Sequence, residues 1–462
     1  MQITSYGAAG QVTGSCHLLE VAGKQILLDC GMIQGSSRAE AHNRDRFAFD
    51  VKKIDAVILS HAHIDHSGRL PVLHTAGYQG PIYTHEASFD LCKVLLKDSA
   101  YIHEKEAEWQ NRKRERKGME PVSPLYSQQD VENTLEQFEP LQYNTPLKLA
   151  DGVTVTLHDA GHILGSAIVE LTLSENGVNR TLVFSGDLGQ RNSPILRDYT
   201  RLKHADLVLM ESTYGDRDHR DPAHTFAEVS EIVEAINSKP GNVLIPAFSV
   251  GRSQLILYMF AKYFDEWDLG RWQIFLDSPM AIEATRIYAR HKNLYDDDAR
   301  AFEMENDGLM RLPNLIYSQR SEQSMQINRI SSGAIIIAGS GMCTGGRIRH
   351  HLKHNVWRND CHVVITGYQA YGTIGRDLVE GKSHIRLWGE AIKVGATIHT
   401  IGGLSAHAGQ SDLLHWYDGF ENRPRVLLVH GEERGMTPLL AELKSRFNAP
   451  AEVAEQGRTY RF

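Results

Sequence analysis

The chain has 462 residues, too many for one ordinary core, and length alone suggests two or three domains. It is 42% hydrophobic and 23% charged, no apolar stretch approaches the roughly 18 residues of a membrane span, and the start, Met1 to Gly7, has neither a basic region nor an apolar signal core. A cytoplasmic protein without membrane contact is expected. The net charge of −8 weighs against a uniformly basic nucleic-acid binder but leaves room for a local basic groove. The five cysteines are scattered and form no CxxC pair, so neither a disulfide framework nor a thiolate zinc site is indicated.

Residues 1 to about 60 read as strands, with a hairpin from Cys16–Val21 across Ala22-Gly23-Lys24 to Gln25–Cys30. Asp29 ends the second of these. It is either a support for a nearby metal loop or a plain turn former, and the need of ligating histidines for a carboxylate partner favours support. His17 is another candidate partner, with a core histidine as the simpler alternative. The apolar run Asp55–Leu59 then leads into Ser60-His61-Ala62-His63-Ile64-Asp65-His66. A short strand that stops and releases three histidines and an aspartate can hold two metal ions side by side, since imidazole suits zinc and a carboxylate can reach a second ion.

Gly68–Ala76 reads as a helix start, Gly80–His85 as a strand and 86–117 as a helix. That helix ends in Arg112-Lys113-Arg114-Glu115-Arg116-Lys117, which is either a solvated face or a contact for a polyanion. Strand Val153–Leu157 runs toward His162. A hairpin of Ala167–Leu173 and Arg180–Phe184 ends at Asp187. Ligand-type residues placed repeatedly after strands predict one site gathered at one edge of a sheet sandwich.

From about 203 the pattern changes. Asp206–Glu211 is an apolar run ending in an acid, and Asp221-Pro222 opens a helix. Strands at Val243–Pro246, Ile274–Asp277, Ala334–Ala338 and His362–Thr366 alternate with helices at Arg252–Phe264, Ala281–His291 and Arg347–Val356, the pattern of a doubly wound parallel sheet. Its turns, Phe248–Gly251 and Gly339–Gly346, present backbone N–H groups that suit phosphate, although any α/β domain needs tight glycine turns. Candidates for phosphate contact are Ser249, Gly251, Arg252, Ser340, Gly341 and Arg347. Beyond 398 come His407, in a small-residue loop, and strand Arg425–Val429 delivering His430.

Asp29, His61-x-His63-x-Asp65-His66, His162 and Asp187 resemble, in order, the four general motifs of the metallo-β-lactamase fold. Glu211, His407 and His430 resemble the three motifs specific to its β-CASP nucleases, a group that includes the endonuclease subunit of the pre-mRNA cleavage and polyadenylation machinery and shorter bacterial ribonucleases. The resemblance spans essentially the whole chain. It implies an α/β architecture: a metallo-β-lactamase αββα sandwich carrying an inserted parallel-sheet β-CASP domain. The domains would be 1–202 and 399–462 for the sandwich and 203–398 for the insert. It further implies two zinc ions per chain, one on His61, His63, His162 and Asp187, the other on Asp65, His66, Asp187 and His430. Asp187 would bridge them. The catalytic set would be Asp65, Glu211 and His407, with His407 as general acid oriented by Glu211, and a hydroxide shared by the ions as nucleophile.

A histidine at 430 resembles the RNA-processing branch, so the expected activity is zinc-dependent hydrolysis of phosphodiester bonds in single-stranded RNA held between the two domains. Members of the group often dimerise, and a homodimer is compatible with the chain. Two other classes fit parts of the pattern. A small-molecule metallohydrolase, such as a thioesterase or phosphodiesterase, would use the HxHxDH motif but have no need of Glu211 and His407. A non-catalytic RNA-binding subunit would have no need of a complete ligand set.

Overall fold

In the computed structural model, residues 1–462 are described with every side chain except those of Ser37, Pro222 and Ala223. The chain divides into two units. The first comprises Met1–Arg191, Asp198–Asp218 and His407–Phe462, and the second Asn192–Arg197 and His219–Ala406.

The first unit is built on two seven-stranded sheets. One has the strand order Thr459–Arg461, Gln2–Gly7, Cys16–Val21, Lys24–Leu28, Ala56–Ile58, Ile82–His85, Phe138–Leu141. The other runs Ala451–Val453, Arg425–Val429, Leu207–Glu211, Val178–Phe184, Ala167–Glu175, Val153–Asp159, Leu147–Ala150. Alternation along the strands sorts their apolar side chains onto two faces. Leu19, Ile26, Leu28 and Ile58 of one sheet share a core with Val155, Leu171, Phe184, Leu209 and Leu427 of the other. The odd-numbered Leu207 and Leu209 face that core, while Val208 and Met210 face outward against Leu413, Trp416, Leu439 and Leu443 of the helices Gln410–Tyr417 and Glu433–Phe447. On the far side, the long helix Glu86–Glu115 lies on strands Ile82–His85 and Phe138–Leu141. This is the expected αββα layering.

Each sheet is antiparallel at one end and parallel at the other. Lys24–Leu28 pairs parallel with Ala56–Ile58, Val178–Phe184 with Leu207–Glu211, and Leu207–Glu211 with Arg425–Val429. Asp29, the His61 loop, Asp187, Glu211 and His430 therefore all lie at the carboxyl ends of parallel strands. Only His162 follows an antiparallel one. Because Leu207–Glu211 is a central strand of this unit, the chain leaves it after Asp218, and the boundary anticipated near 203 lies upstream of that strand.

The second unit is an all-parallel sheet in the order Leu315–Tyr317, Gln273–Leu276, Ala334–Ala338, Val243–Pro246, His362–Ile365, Thr397–Thr400, as the β-α alternation predicts. A small hairpin, His384–Leu387 with Glu390–Lys393, stands apart from it. No helix of the described residues is long and apolar enough to cross a membrane.

Leu209 is fully buried between the two sheets of the first unit. Leu209→Ala is expected to cost about 2–5 kcal/mol, read as a lower midpoint in denaturant. A midpoint equal to that of the parent would contradict the assignment of this strand to the shared core.

Candidate metal centre

The turn after strand Ala56–Ile58 is held from below by Asp29. Its carboxylate accepts hydrogen bonds from the Ser60 backbone N–H (2.8 Å), Ser60 Oγ (3.0 Å) and Ser15 Oγ (2.9 Å), and lies 2.7 Å from His66 Nδ1. That contact fixes the ring so that Nε2 of His66 points into the cluster. Asp29 is itself left-handed (φ 59°), a conformation aspartate tolerates better than most residues. The turn and the Asp29 strand end approach closely at Gly31, where a Cβ would lie 1.6 Å from the Asp65 carbonyl oxygen. His17 is buried but contacts Ser5 Oγ (2.9 Å) and Ser15 Oγ (3.5 Å) rather than a histidine of the cluster, so it is a core histidine one hydroxyl removed from Asp29.

The ligand-type atoms converge. His61 Nε2 is 3.1 Å from His63 Nδ1, which is 3.2 Å from His162 Nε2. Asp187 Oδ2 is 3.4 Å from His61 and 3.6 Å from His162. The corners of a tetrahedron with bonds of 2.0–2.1 Å are about 3.3–3.4 Å apart, so these four atoms fit one zinc-sized ion. A second group, Asp65, His66 and His430, meets the same carboxylate. His66 Nε2 is 3.0 Å from His430 Nε2 and 3.3 Å from Asp187 Oδ2, and Asp65 Oδ2 is 3.5 Å from His430 Nε2. Asp187 Oδ1 is buried and makes no hydrogen bond, with His430 Nδ1 3.4 Å away, a costly arrangement unless a cation meets it. The donor set therefore suits metal ions, with Asp187 between the two groups.

Burial opposes the charge of Asp187, yet His430, His66 and His61 hold its carboxyl well below the usual range. Burial and the neighbouring His66 push His61 well down, and burial brings His63 down to about 4. Those two rings are neutral at pH 7, the form that ligates metal, whereas, against its burial, Asp187 and Asp29 push His66 well up, so a metal must displace its proton.

His430 is left-handed (φ 51°), with Thr213 Oγ1 3.0 Å from its Nδ1. Glu211 accepts from the Leu188 N–H at 2.8 Å through Oε1, and the same oxygen lies 3.4 Å from His407 Nδ1. Burial works against a charge on His407, but Glu211 and Asp187 raise its pKa to about 9. Its side chain is 22% exposed, whereas those of His61 and His162 are fully buried. All residues anticipated in the ligand and acid sets thus lie in the first unit and are brought together. Ser60 and Thr213, which orient them, have no local signature: each is a common hydroxyl beside a rarer ligand-type residue.

In the second unit, the loops 248–251 and 339–346 are neighbours, with Ser249 Oγ 3.5 Å from where a Gly339 Cβ would stand and Gly341 against the Phe248 ring. Several of the anticipated phosphate donors are already engaged. The Gly251 N–H donates to Gln254 Oε1 (2.7 Å) and Arg252 donates to the Leu404 carbonyl. Arg347 donates to Asp277 and to the Ser318 and Gln319 carbonyls. Ser249 shares a hydrogen bond with Ser278 (3.2 Å), and Ser340 Oγ accepts from the Gly345 N–H (3.1 Å).

Residues 18–206 match a metallo-beta-lactamase superfamily domain, 253–378 a Beta-Casp domain, and 391–454 a Zn-dependent metallo-hydrolase RNA specificity domain. The chain is 40% identical to Ribonuclease TTHA0252 of Thermus thermophilus over 95% of each chain. It is 30% identical to the transcription termination factor FttA of Methanosarcina mazei, over 96% of this chain and 69% of that one. A crystal structure of a protein of unknown function from Enterococcus faecalis superposes over 99% of both chains with a TM-score of 0.54 at 14% identity, a likeness of fold.

Asp29→Ala removes the acceptor that orients His66. Metal affinity, measured by competition with a chelator, is expected to fall about 10–100-fold while far-ultraviolet circular dichroism is retained. Unchanged affinity would show that His66 is held without it. Gly31→Ala is expected to do more damage, lowering both metal content and thermal midpoint, because backbone rather than a side chain must move.

Proposed function

Since the chain belongs to the β-CASP group of the metallo-β-lactamase superfamily and is a metal-dependent hydrolase, we propose that it is a zinc-dependent ribonuclease that hydrolyses phosphodiester bonds of single-stranded RNA. The observation that carries this reading is the joining of two ligand groups on Asp187 with a carboxylate-held histidine, His407, beside them. The name of the Thermus relative and the RNA-specificity description matched by residues 391–454 support RNA as substrate.

His61, His63, His162 and Asp187 would hold one zinc ion, and Asp65, His66, Asp187 and His430 the other. Two such ions supply Lewis acidity toward a phosphodiester and lower the pKa of water. The chain's own residues do the rest. Asp29 and Thr213 fix the rings of His66 and His430, so their Nε2 atoms keep their aim without the cost of reorganisation. Asp65 contributes its carboxylate beside His430. Glu211 faces Nδ1 of His407, which leaves Nε2 as the atom that gives a proton to the departing ribose oxygen. Within the second unit taken by itself, Ser249, Ser340 and Gly341 are the candidates for phosphate contact, with Gly251, Arg252 and Arg347 holding those loops in shape.

His407→Ala is expected to retain both metals and lose about 10²–10⁴ in the cleavage rate of an RNA oligonucleotide. Metal analysis and end-mapping on the same sample check this. Cleavage of DNA but not RNA by the parent protein would overturn the ribonuclease reading. Full activity of His407→Ala on a small ester would favour a small-molecule hydrolase instead. Dialysis against a chelator is expected to abolish cleavage and zinc to restore it, with release of product as the measure.

A further inference from the structure

The helix Glu86–Glu115 changes character along its length. Its buried residues run from Ala87 to Ala107, and none follows. The last turns are tied to the returning segment, through Asn111 to Val122 (2.9 and 2.7 Å) and Arg114 to the Glu120 carbonyl (2.5 Å). At 100° per residue, Tyr101, Ile102, Lys105, Trp109 and Lys113 fall on one face, flanked by Arg112, with Arg116 at the C-cap and Lys117 in the turn just beyond. Two acids of the helix, Asp98 and Glu106, lie within about 80° of Trp109, and both precede the basic end.

Three observations separate the stripe from an ordinary solvated face. Trp109 is 58% exposed and Tyr101 52% exposed, which nothing in the packing of the helix requires. Lys113 Nζ stands 3.3 Å from the centroid of the Trp109 ring, and Lys105 Nζ 5.7 Å from that of Tyr101. Earlier lysines of the helix are paired, Lys93 with Asp90, Lys97 with Glu132 and Lys105 with Glu108. Arg112, Lys113, Arg116 and Lys117, by contrast, form no ion pair among the described residues. Cations at a helix C-terminus are favoured by its dipole. That effect accounts for the charge but not for an exposed indole in its midst, and the stripe is basic in a chain whose net charge is −8.

Exposed aromatic rings interleaved with unpaired cations are what a single-stranded nucleic acid needs: bases stack on the rings and phosphates meet the cations. We propose that the outer part of this helix, centred on Trp109, is a second contact for single-stranded RNA, separate from the metal centre. The inference rests on the ribonuclease reading above. The start of the same helix touches the loop that carries His162, where Ser88 Oγ donates to the Gly165 carbonyl (2.8 Å). From Ser88 to Lys113 the helix rises about 37 Å. Only an RNA of many nucleotides can therefore engage both places, and the stripe serves to retain long substrates.

The test uses the full chain loaded with zinc, a long unstructured RNA and an RNA of a few nucleotides. The comparison is between the parent, Trp109→Ala, and a variant with Arg112, Lys113, Arg116 and Lys117 each changed to Gln. For long RNA, the quadruple variant is expected to flatten the dependence of log K on log salt by up to about 3, and Trp109→Ala to weaken binding about tenfold. Tryptophan emission of the parent should change on binding long RNA, and that change should be missing in Trp109→Ala. Cleavage of the short RNA should be unaltered in both variants. An unaltered salt slope and affinity for long RNA would overturn the proposal. So would equal losses on short and long RNA, which would mark a structural defect, or a change confined to sedimentation, which would give the face to a protein contact. Failure of the parent to cleave either RNA would instead sink the ribonuclease reading and leave the binding data to judge the stripe by themselves.

Discussion

A buried carboxylate with one oxygen unsatisfied dictates much of the first unit. Asp187 is 1% exposed, and its Oδ2 lies 3.3–3.6 Å from three imidazoles delivered by two different loops. A charge taken out of water is costly unless it is paired or met by metal. Holding it requires those loops to be rigid, and each is braced by groups that carry no chemistry of their own. Asp29 accepts from three donors and faces His66, Thr213 faces His430, and the Leu188 N–H meets Glu211. The convergence is therefore a property of the two sheets, whose parallel strands deliver Asp29, the His61 loop, Asp187, Glu211 and His430, with His162 brought in by an antiparallel strand.

The half of this arrangement that is local in the chain was legible from the residues alone. His61, His63, Asp65 and His66 lie within one turn, and His162 and Asp187 each follow a strand that alternation marks. Glu211 and His430 are different. They are ligand-type residues at the ends of ordinary apolar runs, and what makes them neighbours is the pairing of Leu207–Glu211 with Arg425–Val429, which no local pattern encodes. Only the order of family motifs pointed to them. The same pairing explains why the change in pattern near 203 comes one strand before the chain leaves the first unit: a continuous apolar run reads alike in a mixed sheet and in a parallel one.

The glycines of the second unit teach a related lesson. A Cβ on Gly346 would lie 2.2 Å from the Gly339 carbonyl, and one on Gly375 1.7 Å from Gln369 Oε1, so these positions are small because backbone and side chains crowd them. Arg347 is likewise committed to Asp277, which also faces His351 (2.6 Å) and accepts from Ser324 (2.6 Å). Gly-rich turns after parallel strands mark close packing as surely as they mark phosphate, and sequence cannot divide the two.

The Leu207–Glu211 pairing also bears on how the protein is made. Ser212 donates to the Val429 carbonyl across 217 residues of chain, and His219–Ala406 of the second unit lies between. Such distant contacts form slowly, since loop-closure entropy precedes any reward. Every strand of the second unit's sheet, from Val243–Pro246 to Thr397–Thr400, precedes His407 and His430 in the order of synthesis. The group of His61, His63, His162 and Asp187 is in hand well before them, so the two ligand groups become complete at different times, and it is His407 and His430 that finish the shell around Asp187.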